Sequence, residues 1–80
     1  MKEVENLILE ELAKNYKWIT RDRNGELSVF TRKPIKNIKD GVWEVSILTD
    51  GLQGSLFPLN HLFDFISWEE KEPRKIVEIV

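Results

Sequence analysis

The chain has one histidine, His61, and no cysteine, so it holds almost none of the side chains that do proton transfer, thiol chemistry or zinc ligation near neutral pH. A histidine metal cluster is excluded by that count, and a catalytic dyad at His61 would need an unusual partner. Ser28, Ser46, Ser55 and Ser67 lack the Gly-x-Ser-x-Gly setting that exposes a serine on a strained strand-to-helix turn, and Gly54-Ser55 does not supply it. Glu69, Glu70 and Glu72 offer oxygen ligands, but without the alternating Asp/Asn residues and glycine of a calcium loop they read as a solvated acidic turn. Gly51 and Gly54 are not followed by the Lys-Ser/Thr of a phosphate-binding loop. These residues assign no catalytic group, no metal site and no cofactor, and predict a protein that is not an enzyme.

What remains is charge next to aromatic rings. Lys17, Arg21, Arg23, Arg32, Lys33, Lys36 and Lys39 lie near Tyr16, Trp18 and Phe30. Residues 17–40 carry seven positive and three negative side chains, whereas residues 41–80 carry three and seven, in a chain whose net charge is −2. Arg21, Arg23, Arg32, Lys33 and Lys36 are the candidate interaction surface. Because Trp and Arg concentrate at interfaces, the leading expectation is a protein-binding module. The alternative is single-stranded nucleic acid, whose phosphates are drawn to cations while its bases stack on rings.

The elements that must position these residues are few. Eighty residues with 41% hydrophobic content give one small domain with a single core. The apolar runs are too short for a membrane span, and the acidic N-terminus is unlike a signal peptide. Residues 2–15 predict an amphipathic helix with Val4, Leu7, Ile8 and Leu12 on its apolar stripe and Asn15 as its stop. Residues 17–31 predict a β-hairpin, because strand-forming segments flank Asp22-Arg23-Asn24-Gly25, whose glycine suits the positive φ of a bulged turn. That pairing sets Ile19, Leu27 and Val29 on one face and Trp18, Ser28 and Phe30 on the other, and leaves open which face is buried.

Lys33-Pro34 ends the second strand. A turn-rich stretch to Gly41 follows, and then a strand over residues 42–49 with Trp43, Val45 and Ile47 on one side. Residues 51–55 read as loop, and residues 56–68 as an aromatic-rich segment that caps the core, with a helical turn near Leu59 to Phe63. The β-branched tail, residues 75–80, reads as an edge strand or a frayed end, pairing within its own sheet or with another copy. The expected fold is α+β: one N-terminal helix packed on an antiparallel sheet of three to four strands, as a monomer or weak homodimer. Leu7, Ile8, Leu12, Ile19, Leu27, Val29, Trp43, Val45, Phe63 and Trp68 form its expected core.

Several of these residues recur in a recognisable order. Trp18-Ile19-Thr20-Arg21-Asp22-Arg23-Asn24-Gly25-Glu26-Leu27-Ser28-Val29-Phe30, then Lys33-Pro34, Trp43 and the closing Leu62-Phe63-Asp64-Phe65-Ile66-Ser67-Trp68-Glu69-Glu70-Lys71-Glu72-Pro73 resemble a family of small phage and prophage proteins of Gram-positive bacteria. Asp64 stands where that family has proline, Lys71 interrupts its acidic run, and residues 51–59 have no counterpart. The resemblance gives a setting rather than an activity: it implies a phage accessory protein in the cytoplasm of the bacterial host. It implies no catalytic or binding residue. The missing catalytic constellation and the segregated charge add the expectation that the protein binds or inhibits a host or phage protein.

Overall fold

The computed structural model describes residues 2–46 and 51–79. Helix α1 (Lys2–Ala13) leads into β1 (Trp18–Arg21) and β2 (Leu27–Phe30), then a short ribbon of β3 (Ile35–Asn37) and β4 (Val42–Glu44). Strand β5 (Gln53–Ser55), a 3-10 turn (Phe57–Leu59), β6 (Arg74–Lys75) and helix α2 (Ile76–Ile79) complete the chain. The main sheet has four antiparallel strands in the order β5-β2-β1-β6, and β3 and β4 pair separately. The α+β expectation is met: one main helix on a small antiparallel sheet.

The hairpin has the expected register, Trp18 opposite Phe30 and Ile19 opposite Val29. Gly25 adopts φ +94°, Asp22 N–H donates to the Glu26 carbonyl at 2.8 Å, and Glu26 N–H donates to Asn24 Oδ1 at 3.0 Å. The asparagine therefore braces the turn, and the Asp22 side chain is left for another task. All of β2 is buried, so the two faces do not compete. Ile19, Leu27 and Val29 form the main core with Leu9, Phe63, Ile66 and Ile76, while alternation turns the buried Phe30 to the opposite side.

Several expectations need correction. Helix α1 ends at Ala13, where Lys14 N–H bonds Glu11 O and Asn15 N–H bonds Leu12 O, a tight closure that needs no left-handed residue. Its buried stripe is turned round, with Leu9 in the core and Leu7 64% exposed. Glu5 explains the turn: its Oε2 accepts the Phe63 N–H at 2.6 Å. Bringing Glu5 inward aligns Ile8, Leu9, Leu12 and Tyr16 with it at helical spacing and sends Leu7 out.

The loop expected at residues 51–55 contains β5, whose Gln-Gly-Ser sequence has no strand preference and is held by pairing with β2. The polar stretch before Gly41 contains β3, and its partner β4 covers only Val42–Glu44, with residues 47–49 of the expected strand outside the described residues. The tail pairs for two residues only, Trp18 with Lys75 and Ile19 with Arg74, and then becomes helical. Ile76 is fully buried and Ile79 packs against the same core, so burial of an i, i+3 pair outweighs the β preference of the sequence. The capping segment does close the core, through Phe63 and Ile66, whereas Val45 and Trp68 are half-buried.

Candidate functional site

The five residues of the expected surface separate into two groups. Arg21 leaves the end of β1 and turns into the capping segment. Its Nε donates to Ile66 O at 2.7 Å, Nη1 to Gly25 O at 2.7 Å and Asn60 O at 2.9 Å, and Nη2 to Leu62 O at 2.7 Å and Phe63 O at 3.1 Å. A guanidinium has five N–H groups, and each finds a main-chain carbonyl. The capping segment is largely irregular, and Phe63 holds φ +59°, so its carbonyls need donors from outside. Arg21 is thus a structural hub and is withdrawn from the surface.

Lys36 is committed in the same way. Cross-strand pairing with Trp43 carries it to the ribbon face that meets Trp68. Its Nζ donates to the carbonyls of Trp68 and Glu70 and lies 4.2 Å from the Trp68 ring centre. Arg23 donates to Ile38 O and sits 5.3 Å from the Trp68 ring, on an otherwise exposed side chain. The buried Asp22 anchors this ribbon, its Oδ1 accepting the Trp43 N–H at 2.9 Å. Burial pushes the Asp22 carboxyl above its ordinary value, opposed by that hydrogen bond and assisted by the charge of Glu26.

Arg32 and Lys33 remain at the surface, and the fold brings two further cations to them. β1 runs between β2 and β6, so Trp18 lies beside Phe30 on one side and Lys75 on the other. The half-buried indole receives Lys33 Nζ at 5.9 Å and Lys75 Nζ at 5.6 Å from its centre. Lys17, Trp18, Thr31, Arg32, Lys33 and Lys75 line one open cleft of about 680 Å³. Its lining holds four cations and no carboxylate, in a chain of net charge −2. Two of the four cations already meet acids, Glu72 at 3.4 Å from Lys33 and Glu78 at 3.9 Å from Lys75, and both acids line the adjoining cleft on the other side of Trp18, Lys33 and Lys75. Lys17 and Arg32 have no ion pair among the described residues.

This arrangement can hold an anionic group between flexible ammoniums and a guanidinium, with an indole edge for an apolar neighbour. Lys17 was readable as part of the basic stretch. Lys75 joins through strand pairing across most of the chain, and no local signal in the sequence marks it.

The other candidates are dispersed. His61 is exposed, Ser28 is buried inside β2, and Ser55 lies at the edge of the sheet. In the acidic turn, Glu70 pairs with Arg74 at 2.7 Å and Glu72 with Lys33. Among the described residues no group of three or more His, Asp or Glu side chains is placed to hold a metal ion. No described helix is long and apolar enough to cross a membrane. No family model, curated protein or solved structure matches the chain.

Proposed function

We propose that the protein is a non-catalytic accessory protein that binds or inhibits a partner protein by taking up an acidic segment of it on the Trp18 face. The observation that carries this reading is the cleft of Lys17, Arg32, Lys33 and Lys75 around Trp18 with no carboxylate in its lining. In a chain of net charge −2, that concentration steers an acidic partner to one place. The resemblance to small phage and prophage proteins supplies the setting: the bacterial cytoplasm, with a host or phage protein as the partner.

A peptide segment is favoured over single-stranded nucleic acid by the state of the rings. Base stacking needs a bare aromatic face. Trp18 already has ammonium groups at 5.6 and 5.9 Å, and Trp43 and Trp68 are engaged by Lys36 and Arg23. Three of the five candidate cations, Arg21, Arg23 and Lys36, also donate to main-chain carbonyls.

The test is a titration followed by the indole N–H resonances, using a short Glu/Asp-rich peptide and an oligothymidylate as parallel probes. The peptide is expected to shift the Trp18 resonance first, and the double substitution Lys33→Glu with Arg32→Glu to abolish the effect. Tighter binding of the oligonucleotide at the same salt, with the steep salt dependence of phosphate contacts, would transfer the site to nucleic acid. No response to either probe would remove the Trp18 face as a binding site.

A further inference from the structure

The two edges of the main sheet are unlike. The β6 edge is two residues long, carries Arg74 and Lys75, and turns at once into α2. A second copy approaching there meets like charge, which is how natural sheets blunt an edge. The β5 edge is Gln53-Gly54-Ser55, uncharged, with Leu52 and Phe57 exposed on either side at 66% and 64%.

The hydrogen bonds fix which groups of β5 point outward. Thr31 N–H donates to Leu52 O and Leu56 N–H donates to Leu27 O, so Leu52, Gly54 and the Leu56 N–H are turned toward β2. Gln53 and Ser55 therefore turn their N–H and C=O groups away from it, and among the described residues no strand takes them up. We propose that a second copy of this chain does, by antiparallel β5–β5 pairing about a two-fold axis at Gly54.

That register satisfies both copies at once. Gln53 of one copy lies opposite Ser55 of the other, and each such pair exchanges two main-chain hydrogen bonds. The two Gly54 residues meet at the closely spaced position between them, where the absence of side chains matters. A Cβ on Gly54 would stand 3.0 Å from the Tyr16 hydroxyl and 3.2 Å from Val29, so Tyr16 already occupies the space above the strand. Tyr16 is also one wall of a mostly apolar groove lined by Leu7, Ile8, Glu11, Leu12 and Asn15, with Glu11 paired to Lys14.

Leu52 shares a strand face with Leu56, which packs on the same core as Leu12 and Tyr16. In the pairing, Leu52 of each copy falls opposite Leu56 of the other and is delivered to the groove beside Tyr16. The same patch thus carries the projecting leucine and the groove that receives it, the self-complementarity a two-fold contact requires. Leu7, turned outward in the single chain, borders that groove.

Sedimentation equilibrium of the full chain, with Leu52→Glu and Gln53→Pro, tests the proposal. Leu52 is exposed, and the Gln53 N–H points away from β2, so neither change removes a hydrogen bond among the described residues. The full chain is expected to show a reversible monomer–dimer equilibrium that each folded variant weakens by about tenfold or more. In the unaltered protein, amide exchange at Gln53 and Ser55 should slow as concentration rises. A full chain that stays monomeric at all concentrations, exchange at those two amides that ignores concentration, or a dimer of undiminished strength in the folded variants would overturn it.

Discussion

Arg21 and Arg32 come from one basic stretch of chain, yet the first is ringed by five main-chain carbonyls and the second has no ion pair among the described residues. Charge density along the sequence does not distinguish them. What does is the neighbourhood into which each strand end releases its side chain. β1 ends against residues 60–66, where the Phe63 carbonyl already accepts the Ile66 N–H but those of Asn60, Leu62 and Ile66 have no main-chain donor among the described residues. β2 ends in an exposed turn before Pro34, where water satisfies the same needs. A cation placed beside starved carbonyls becomes part of the fold, and one placed beside water stays available to a partner.

The sharpest way to break that comparison is Arg21→Ala. It strips donors from five carbonyls at once and releases the segment that carries Phe63 and Ile66 into the core. The loss should be about 3–5 kcal/mol, against the ~5 kcal/mol at the low end of the range for small domains. A large share of the variant would then be unfolded at room temperature by circular dichroism and urea titration. Arg21→Lys, with three donors on a point charge, should recover only part of it. A variant melting within a few degrees of the parent would show that the carbonyls are satisfied without Arg21.

The hairpin was legible because its signals are local: Asp22-Arg23-Asn24-Gly25 fixes the reversal, and two-residue alternation fixes the register. The α+β class followed from the helix period of the first residues. The misread elements are those decided by distant partners. Gln53-Gly54-Ser55 is a strand because Val29 and its neighbours have a free edge, and residues 76–79 are helical because Ile76 and Ile79 meet the main core. Leu9 displaced Leu7 for the sake of a hydrogen bond from Phe63 to Glu5, fifty-eight positions away. At the site, Arg32 and Lys33 were legible as exposed cations after a strand end, but the withdrawal of Arg21 and Lys36 and the arrival of Lys75 depend on tertiary contacts.

Asp22 sharpens the comparison from the opposite charge, since it is an acid buried within the basic hairpin. Asp22→Ala leaves the Trp43 N–H without its acceptor and should destabilise the protein by about 1–3 kcal/mol. Asp22→Asn keeps an Oδ1 for that donor and should cost far less. The two changes also differ in pH dependence. Because burial raises the carboxyl above its ordinary value of 3.8, the folded protein holds this proton more tightly than the unfolded chain. Its contribution is therefore most favourable below that ordinary value and declines as pH rises through the raised one. Asn cannot titrate, so the stability of Asp22→Asn relative to the parent should increase from about pH 3 to about pH 7. Urea titrations at the two ends check the sign, and a stability of Asp22→Asn relative to the parent that falls with rising pH would mean that the carboxylate is favoured by the fold.

The smallest stability effect belongs to the cations that the fold does not use. Lys33 meets Glu72 at 3.4 Å with both side chains mostly exposed, and Arg32 has no ion pair among the described residues. An exposed pair is worth little once side-chain entropy and salt are counted. Arg32→Ser and Lys33→Ser should each change stability by no more than about 0.5 kcal/mol, inside the range of ordinary surface substitutions. The same two variants should nonetheless weaken capture of the acidic peptide, which separates binding from folding in a way no change at Arg21 can. If Arg32→Ser or Lys33→Ser instead unfolds the protein as readily as Arg21→Ala, the distinction between structural and available cations fails. The Trp18 face would then be one more part of the scaffold.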